Sequence, residues 1–406
     1  MADKKALTRR GFISTAATMA ASASMLTLGP AAALAQTEEK TNPGELIYRT
    51  LGRTGMKMPI ISMGVMNANN PQVVQASYEL GVRHFDTAAM YQYGRNEEMV
   101  GKVIGKLGVR DKVFIATKIF TSQDRDKHQG KAKKEAFFKK FDESLQRLNM
   151  DYVDILYIHS VTNQDFDSIN DPYLLEGLSE LKQQGKIKAH GISTHRNLID
   201  VINNAAEKNF YNVVLTAFNA SLASVPALTD AIDNAAKKGI GIVAMKTQAG
   251  GSQMPNATAM EKFTSSIINT ASLKWVMRHE NITTAIPGYD NFDHMKEDFS
   301  VANNLEYTNE EKAFLNSQEI KLGYDYCEQC DKCLASCPND TDIPTLMRTH
   351  MYATRYGNPI HARQTLNELP SQRNLAVCGS CDSCVAACAN SLNIPKKIGE
   401  LKEIFA

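Results

Sequence analysis

Residues 153–159 read Val153-Asp154-Ile155-Leu156-Tyr157-Ile158-His159. The run is short, mostly apolar and does not alternate, and it gives way to a polar residue. That is the pattern of a parallel strand covered on both faces whose end meets a loop. Outward from it the same kind of run recurs. Toward the N-terminus stand Val113–Ala116, Val82–Phe85 and Pro59–Val65; toward the C-terminus stand Ile187–Gly191, Val213–Phe218, Ile240–Met245 and Thr283–Ile286. Amphipathic patterns such as Phe138-Phe141-Leu145-Leu148 and Leu175-Leu178-Leu181 lie between them. Eight such units in about 250 residues predict a (β/α)8 barrel over residues 46–305. The rival, a doubly wound sheet, would usually carry a Gly-x-Gly-x-x-Gly turn after its first strand. This first run ends instead in Ser62-Met63-Gly64-Val65-Met66-Asn67. Ahead of the barrel, Tyr48–Gly55 and Met56–Pro59 flank Arg53-Thr54-Gly55, which reads as a hairpin placed to plug the barrel's N-terminal end.

The chain has 406 residues, with 45 Lys+Arg against 44 Asp+Glu and a net charge of +1. A hydrophobic share of 43% suits a globular protein with a substantial core. The near-neutral balance leaves no electrostatic footprint for nucleic acid. No apolar run approaches the roughly 18 residues of a membrane span. The N-terminus places Lys4-Lys5 and Arg9-Arg10-Gly11-Phe12-Ile13 before a small, Ala/Ser/Thr-rich apolar stretch that ends in Ala33-Leu34-Ala35. A basic region, an apolar region and an A-x-A site make an export signal over residues 1–35. The adjacent arginines resemble a twin-arginine signal, which predicts a periplasmic protein.

Catalytic residues of such barrels sit where strands run into the following loops. Three neighbouring strands deliver Asp86, then Tyr91, Lys118 and His159 to one rim. Taken singly, Asp86 reads as a helix cap, Lys118 as a solvated rim charge and His159 as a satisfied core histidine. Taken together, in strand order, they read as a reaction site.

At these residues the sequence resembles the aldo-keto reductases. The match runs through Gly81-Val82-Arg83-His84-Phe85-Asp86-Thr87-Ala88 with Tyr91, Gly94-Arg95-Asn96-Glu97-Glu98 and Gly101, and Ala116-Thr117-Lys118. It continues in Asp151-Tyr152-Val153-Asp154 with His159, Gly185-Lys186-Ile187 with Gly191-Ile192-Ser193, and Ile286-Pro287-Gly288. The resemblance implies carbonyl reduction by NAD(P)H and the tetrad Asp86, Tyr91, Lys118 and His159. The chemistry asks for these types. Hydride arriving at a carbonyl carbon leaves charge on the oxygen, and an acid must protonate it. A tyrosine near pKa 10 is a weak acid for that task, and a cation beside it, Lys118, is expected to lower its pKa. Asp86 would hold Lys118, and His159 would stabilise the developing negative charge.

On the cofactor side, Ser193 and Asn219 are placed to hold the nicotinamide carboxamide. Where the family commonly has a Gln on strand six and a stacking aromatic on strand seven, this chain has Leu215 and Met245-Lys246-Thr247, leaving Met245 or Phe218 to pack on the nicotinamide. After strand eight come Gly288-Tyr289-Asp290-Asn291 and His294, and Asp290 is placed to accept from a ribose hydroxyl. The candidate cofactor contacts are therefore Ser193, Asn219, Met245, Lys246, Gly288 and Asp290, with NAD against NADP left open. Gln248–Ser252 reads equally as a flap over the pyrophosphate or a flexible connection.

All eight cysteines fall between Cys327 and Cys388. Cys327-x2-Cys330-x2-Cys333-x3-Cys337-Pro338 has the ferredoxin spacing of [4Fe–4S] sites. Cys378-x2-Cys381-x2-Cys384-x3-Cys388 repeats it at an offset of 51, and Ile343-Pro344 recurs as Ile394-Pro395 at the same offset. The spacing predicts crossed ligation. One cluster takes Cys327, Cys330, Cys333 and Cys388; the other takes Cys378, Cys381, Cys384 and Cys337. Zinc, usually held by two separated pairs, fits this spacing poorly, and disulfides, with 105 pairings open to eight cysteines, remain the rival for an exported chain. Intervening stretches Leu346–Tyr356 and Ile360–Leu369 read as helices. Residues 320–400 are therefore expected to form a small, mainly helical ferredoxin-like domain, as in those aldo-keto reductases that combine one with a twin-arginine signal. The expected partners are a small carbonyl or quinone substrate and a redox protein. The alternative is an exported iron–sulfur electron-transfer protein whose barrel lacks reductase activity.

Overall fold

A computed structural model describes residues 45–121, 131–222, 225–249, 262–317, 326–381 and 383–405. The expected export leader, residues 1–35, and Gly250–Ser252 of the expected flap lie outside them. Eight parallel strands run in sequence order: β3 (Met63–Gly64), β4 (His84–Asp86), β5 (Phe114–Ile119), β6 (Val153–Ile158), β7 (Ile187–Thr194), β8 (Val213–Ala217), β9 (Gly241–Met245) and β10 (Thr284–Ala285). A parallel bridge from Ile61 to Ala285 joins the two ends. Ser62 N–H donates to Ala285 O at 2.8 Å and Gly64 N–H to Pro287 O at 3.0 Å, so the sheet closes on itself. Closure explains the unbroken apolar runs, since every residue of β6, β8 and β9 is buried.

The hairpin pairs β1 (Tyr48–Thr50) with β2 (Lys57–Pro59) antiparallel. Leu51, Met56 and Met58 enter the barrel interior with Ile155, Tyr157 and Leu215. Its turn is pressed against the start of β9: a Cβ on Gly52, at φ +46°, would lie 2.3 Å from Gly241 N and 2.4 Å from Gly239 O. Only glycine fits there. The run Pro59–Val65 thus serves two sheets, ending the plug and then opening the barrel.

The cysteine-bearing segment folds into helices Ile343–Thr354, Pro359–Asn367 and Ile394–Phe405 joined by short turns. The duplicated Ile-Pro begins the first and third, where proline's missing N–H costs nothing. Helix starts lie earlier than periodicity indicates for Leu346–Tyr356, because Asp342 caps the first by accepting from Thr345 N–H. This segment is not a separate body. Met351, Tyr352 and Ala362 join the barrel's main apolar core. Ile343, Leu346, Met347, Ile394, Ile398 and Leu401 form a second small core around the cysteines.

One packing contact is testable by two glycines of helix Arg95–Leu107. A Cβ at Gly101 would lie 2.0 Å from Leu148 O, while Gly105 has nothing within 4 Å. Alanine favours an exposed helix by about 1 kcal/mol over glycine. Gly105→Ala is expected to be neutral or stabilising by up to about that amount. Gly101→Ala is expected to destabilise by at least about 1 kcal/mol despite the propensity gain. Denaturant unfolding of both variants compares the signs.

Candidate active site

The end of β4 carries Asp86, and the turn Tyr91–Gly94 that follows presents Tyr91. Lys118 lies on β5, paired across the ladder with Tyr157 of β6. His159 is the first residue beyond β6. The Lys118 ammonium contacts the Asp86 carboxylate, donates to Thr87 O at 2.7 Å and reaches the Tyr91 hydroxyl at 3.3 Å. The His159 ring meets that of Tyr91 edge-on, with centroids 6.1 Å apart, and is held by Phe120, stacked at 4.4 Å. All four expected residues share one buried rim.

The neighbouring motif residues brace these loops. Thr87 Oγ donates to Asn96 Oδ1 at 2.7 Å, and Asn96 Nδ2 donates to Val65 O at 2.8 Å. Glu97 accepts from Thr117 Oγ at 2.5 Å and from Arg147 Nε at 2.7 Å. The loops after β3 and β4 and strand β5 itself are thereby tied to one helix.

The electrostatics correct one expectation. Burial pushes the Tyr91 phenol well above its ordinary pKa, and the charges of Asp86 and Glu368 push the same way; Lys118 does not bring it down in the free site. Burial also draws Lys118 down and Asp86 up toward their neutral forms, and their mutual attraction opposes that in both. His159 is held well below its ordinary range, first by burial and then by the Lys118 charge. At neutral pH the site holds a protonated phenol and a neutral imidazole.

Beside Tyr91 opens a cleft of about 390 Å3, within the size range of about 300–1,000 Å3 typical of ligand sites. Met245, Lys246, Gly288 and Asp290 line it, as does His294. Ser193 and Asn219 do not. Ser193 Oγ accepts from Ser160 N–H at 3.0 Å. Asn219 donates to Lys246 O at 3.0 Å and accepts from Ser221 Oγ at 2.6 Å. Both side chains brace loops. Phe218 likewise points away, stacked on Trp275 at 5.1 Å, so it does not pack in the cleft.

The other wall was not legible in the sequence. It comes from the C-terminal segment: Tyr352, Thr354, Arg355 and Tyr356 line the cleft. His361 meets the Tyr91 ring edge-on at 5.4 Å, and Gln364 Nε2 donates to Met90 O at 2.5 Å. Arg348 reaches Ser160 Oγ at 3.3 Å and pairs with Glu368 at 3.2 Å. Arg196, just past β7, anchors the segment through Asp331 at 2.5 Å and Asp342 at 2.9 Å. His195 beside it lines the cleft, a polar residue at a strand end that the barrel rule could have flagged.

No disulfide joins the cysteines. Cys333 has Cys330 and Cys388 as electrostatic neighbours, and Cys327 has Cys333 and Cys330. Cys337, Cys378, Cys381 and Cys384 line a second small cavity. The two runs therefore exchange their fourth thiols. Among the described residues no three His, Cys, Asp or Glu side chains converge as ligands of a single ion. Burial pushes the Cys327 and Cys333 thiols up to about 12 and about 11, which leaves neither a nucleophile at neutral pH.

Comparison with known proteins gives a consistent picture. Residues 62–269 match the Aldo/keto reductase family, a match that ends before the first cysteine. The chain is 25% identical over 304 residues to L-galactose dehydrogenase of Arabidopsis thaliana, covering 68% of this chain and 93% of that one. It is 22% identical over 330 residues to L-glyceraldehyde 3-phosphate reductase of Escherichia coli, covering 66% and 91%. In fold it is similar to an aldo-keto reductase from Bacillus halodurans, with TM-score 0.56 and 22% identity over 68% of this chain and 97% of that one.

At the far wall of the cleft, Gln248 Nε2 donates to Asp298 Oδ1 at 2.6 Å. Burial pushes the Asp298 carboxyl up to about 8. Unfolded, it would ionise near pH 4. The folded chain thus binds the extra proton between those values, and stability falls as pH rises from about 4 to about 8, by at most roughly 1.4 kcal/mol per pH unit. Asp298→Asn removes that loss. Its stability gain over the parent, from denaturant unfolding, is expected to grow from pH 5 to pH 8.

Proposed function

The chain belongs to the aldo/keto reductase family, and we propose that it reduces a carbonyl with hydride from a nicotinamide dinucleotide, protonating the product oxygen from Tyr91, while its C-terminal thiols hold two [4Fe–4S] clusters. The supporting observation is the contact of the Lys118 ammonium with both the Asp86 carboxylate and the Tyr91 hydroxyl, with His159 alongside.

The dinucleotide supplies hydride; the side chains manage charge. A carbonyl oxygen set between the Tyr91 hydroxyl and the neutral His159 ring receives two hydrogen bonds that strengthen as negative charge develops. The high phenol pKa keeps Tyr91 protonated and ready to donate. An alkoxide is a stronger base than a phenolate, so the proton moves from Tyr91 to the product. Lys118 then offsets the phenolate charge until it is reprotonated. Asp86 keeps the ammonium charged and aimed.

The donor sets suit clusters. Each of the two groups presents four soft sulfur ligands, the ligand type that iron–sulfur centres take. Cys327, Cys330, Cys333 and Cys388 would hold one and Cys337, Cys378, Cys381 and Cys384 the other, supplying one-electron exchange with a partner protein. The leader points to export in folded form with clusters and nucleotide already bound, and to a periplasmic address. A second reading, an electron-transfer protein with a silent barrel, is favoured by one observation: His361 and Tyr352 cover Tyr91 from the C-terminal side.

The readings separate on purified protein. Anaerobic preparation from the periplasm should yield about eight irons per chain by analysis, given four per cubane, and release NAD(H) or NADP(H) on extraction. Tyr91→Phe should lower aldehyde turnover by at least about 100-fold, the usual reach of general acid catalysis, with nucleotide binding retained. Equal turnover in that variant would leave the silent-barrel reading standing. For the parent, the Tyr91 phenol should add no falling limb to kcat/KM for reduction below its ordinary range, because burial holds it above that value, so a falling limb at lower pH would report Lys118, which burial draws down.

A further inference from the structure

The two cysteine runs share one spacing, yet the side chains set against their sulfurs differ. In the first run Gln329 Nε2 donates to Cys327 Sγ at 3.3 Å. The residue that matches it at the offset of 51 is Ser380, whose hydroxyl turns away and donates to Val377 O at 2.8 Å. Asn339, just past the first run, reaches across to the second, where its Nδ2 donates to Cys381 Sγ at 3.0 Å. The matching Asn390 is exposed and offers Cys388 Sγ its backbone N–H at 3.3 Å. Each group of four thiols thus receives one side-chain amide, and the repeat does not account for either.

Gln329 is an expensive choice for the fold. It is 2% exposed, and its backbone lies in the left-handed region at φ +57°, where a non-glycine residue stays only if its surroundings hold it. Its Nε2 also donates to Pro344 O at 2.6 Å, while Oε1 is buried with no hydrogen-bond partner. Those contacts fix which way the amide faces: turned over, it would set its oxygen against the Pro344 oxygen and the sulfur. A methionine would fill similar space with no polar atom left unsatisfied. A buried acceptor without a partner needs a reason, and on this side chain the reason is the N–H aimed at Cys327.

We propose that Gln329 and Asn339 are positioning residues that set the reduction potentials of the two clusters separately, Gln329 through Cys327 and Asn339 through Cys381. The proposal rests on the cluster reading of the thiols. Reduction adds one negative charge to a cluster, shared with its sulfur ligands. An N–H donor to sulfur favours that more negative state and so raises the potential. The two clusters it acts on have different surroundings. Cys327 shares a small cavity with Lys246 and Arg355, which also line the reduction cleft. The cavity at Cys381 is lined by the C-terminal segment alone. Separate donors let the cluster beside the cleft and the cluster remote from it be poised independently.

Redox titration of the full-length holoprotein, followed by EPR, tests this. Gln329→Met should lower one midpoint potential and leave the other in place. Asn339→Leu should lower the other, and the double variant should lower both. A merely structural role would not divide the effect in this way. Potentials unmoved in variants that keep their iron would overturn the proposal, as would two single variants that move the same potential. Should a variant lose its iron, the parent decides. With a heavy nitrogen isotope in the side-chain amides of glutamine, and in a second sample of asparagine, pulsed EPR of the reduced protein should show a weak nitrogen coupling to a different cluster with each label. Absence of either coupling would overturn the proposal. A parent that holds no iron after anaerobic preparation would instead defeat the cluster reading, and this inference with it.

Discussion

Lys118 is an ammonium buried inside a barrel mouth, and a charge so placed is tolerated only with a counter-charge and hydrogen bonds at hand. Its partners are Asp86, the Thr87 carbonyl and the Tyr91 hydroxyl. They come from the next strand and the loop after it, so the register of β4 against β5 is tied to the chemistry. Slip that ladder and the cation loses its carboxylate. The braces follow from the same demand. Thr87, which offers its carbonyl to the ammonium, is fixed through Asn96. Thr117, which precedes Lys118, is fixed through Glu97 and thence Arg147. Closing the sheet through Ala285 and Ile61 then leaves the mouth no soft edge along which these groups could drift.

The C-terminal segment extends that rigidity outward. Helix Ile343–Thr354 has two apolar faces with different owners: Met351 and Tyr352 pack into the barrel core, while Ile343, Leu346 and Met347 face the thiols. Arg196 adds the polar tie, with one guanidinium gripping Asp331 inside the first cysteine run and Asp342 at the helix cap. Ordering the thiol loops and seating the helix on the barrel are therefore one event. The distance between the reduction site and the first thiol group is set by a single helix rather than by a linker.

How far the sequence could be read follows from which contacts are local. Strands such as β6 were legible because burial on both faces writes an unbroken apolar run. The meeting of Asp86, Lys118 and His159 was legible because they sit at or beside strand ends, a position the barrel itself defines, with Tyr91 in the turn that follows β4; their catalytic roles are the proposal. The thiol exchange between the two runs was legible from spacing alone, although the clusters remain a proposal. Contacts across the chain were not. His361 lies 270 residues beyond Tyr91, and nothing near it marks it as a wall of the mouth. Ser193 and Asn219 occupy strand ends as expected, yet their side chains are spent on Ser160, Lys246 and Ser221. Residue type at a strand end does not reveal whether a loop will claim it. The Tyr91 pKa failed for a related reason: pairing phenol and ammonium along the sequence ignores how deeply both are buried and how near Glu368 comes from the far segment.

Position 246 is where the barrel meets the C-terminal segment. The family commonly places an aromatic near here to stack on the nicotinamide, and this chain has Met245 and Lys246. Lys246 adopts the left-handed backbone region, at φ +54°, a conformation that non-glycine residues hold only when their surroundings require it. Its carbonyl is held within the barrel, where it accepts from Asn219 Nδ2 and from Ala249 N–H at 3.0 Å each. The side chain lines the long cleft and also a small cavity shared with Cys327 and Arg348, and its ammonium lies 5.6 Å from the Tyr352 ring. A flat ring at this position could stack on a ligand but would offer no amine to that seam. The departure from the family pattern is thus the barrel's side of the docking, and it places between the cleft and the first thiol group an amine that burial, and then the Arg348 charge, draws well below its ordinary pKa.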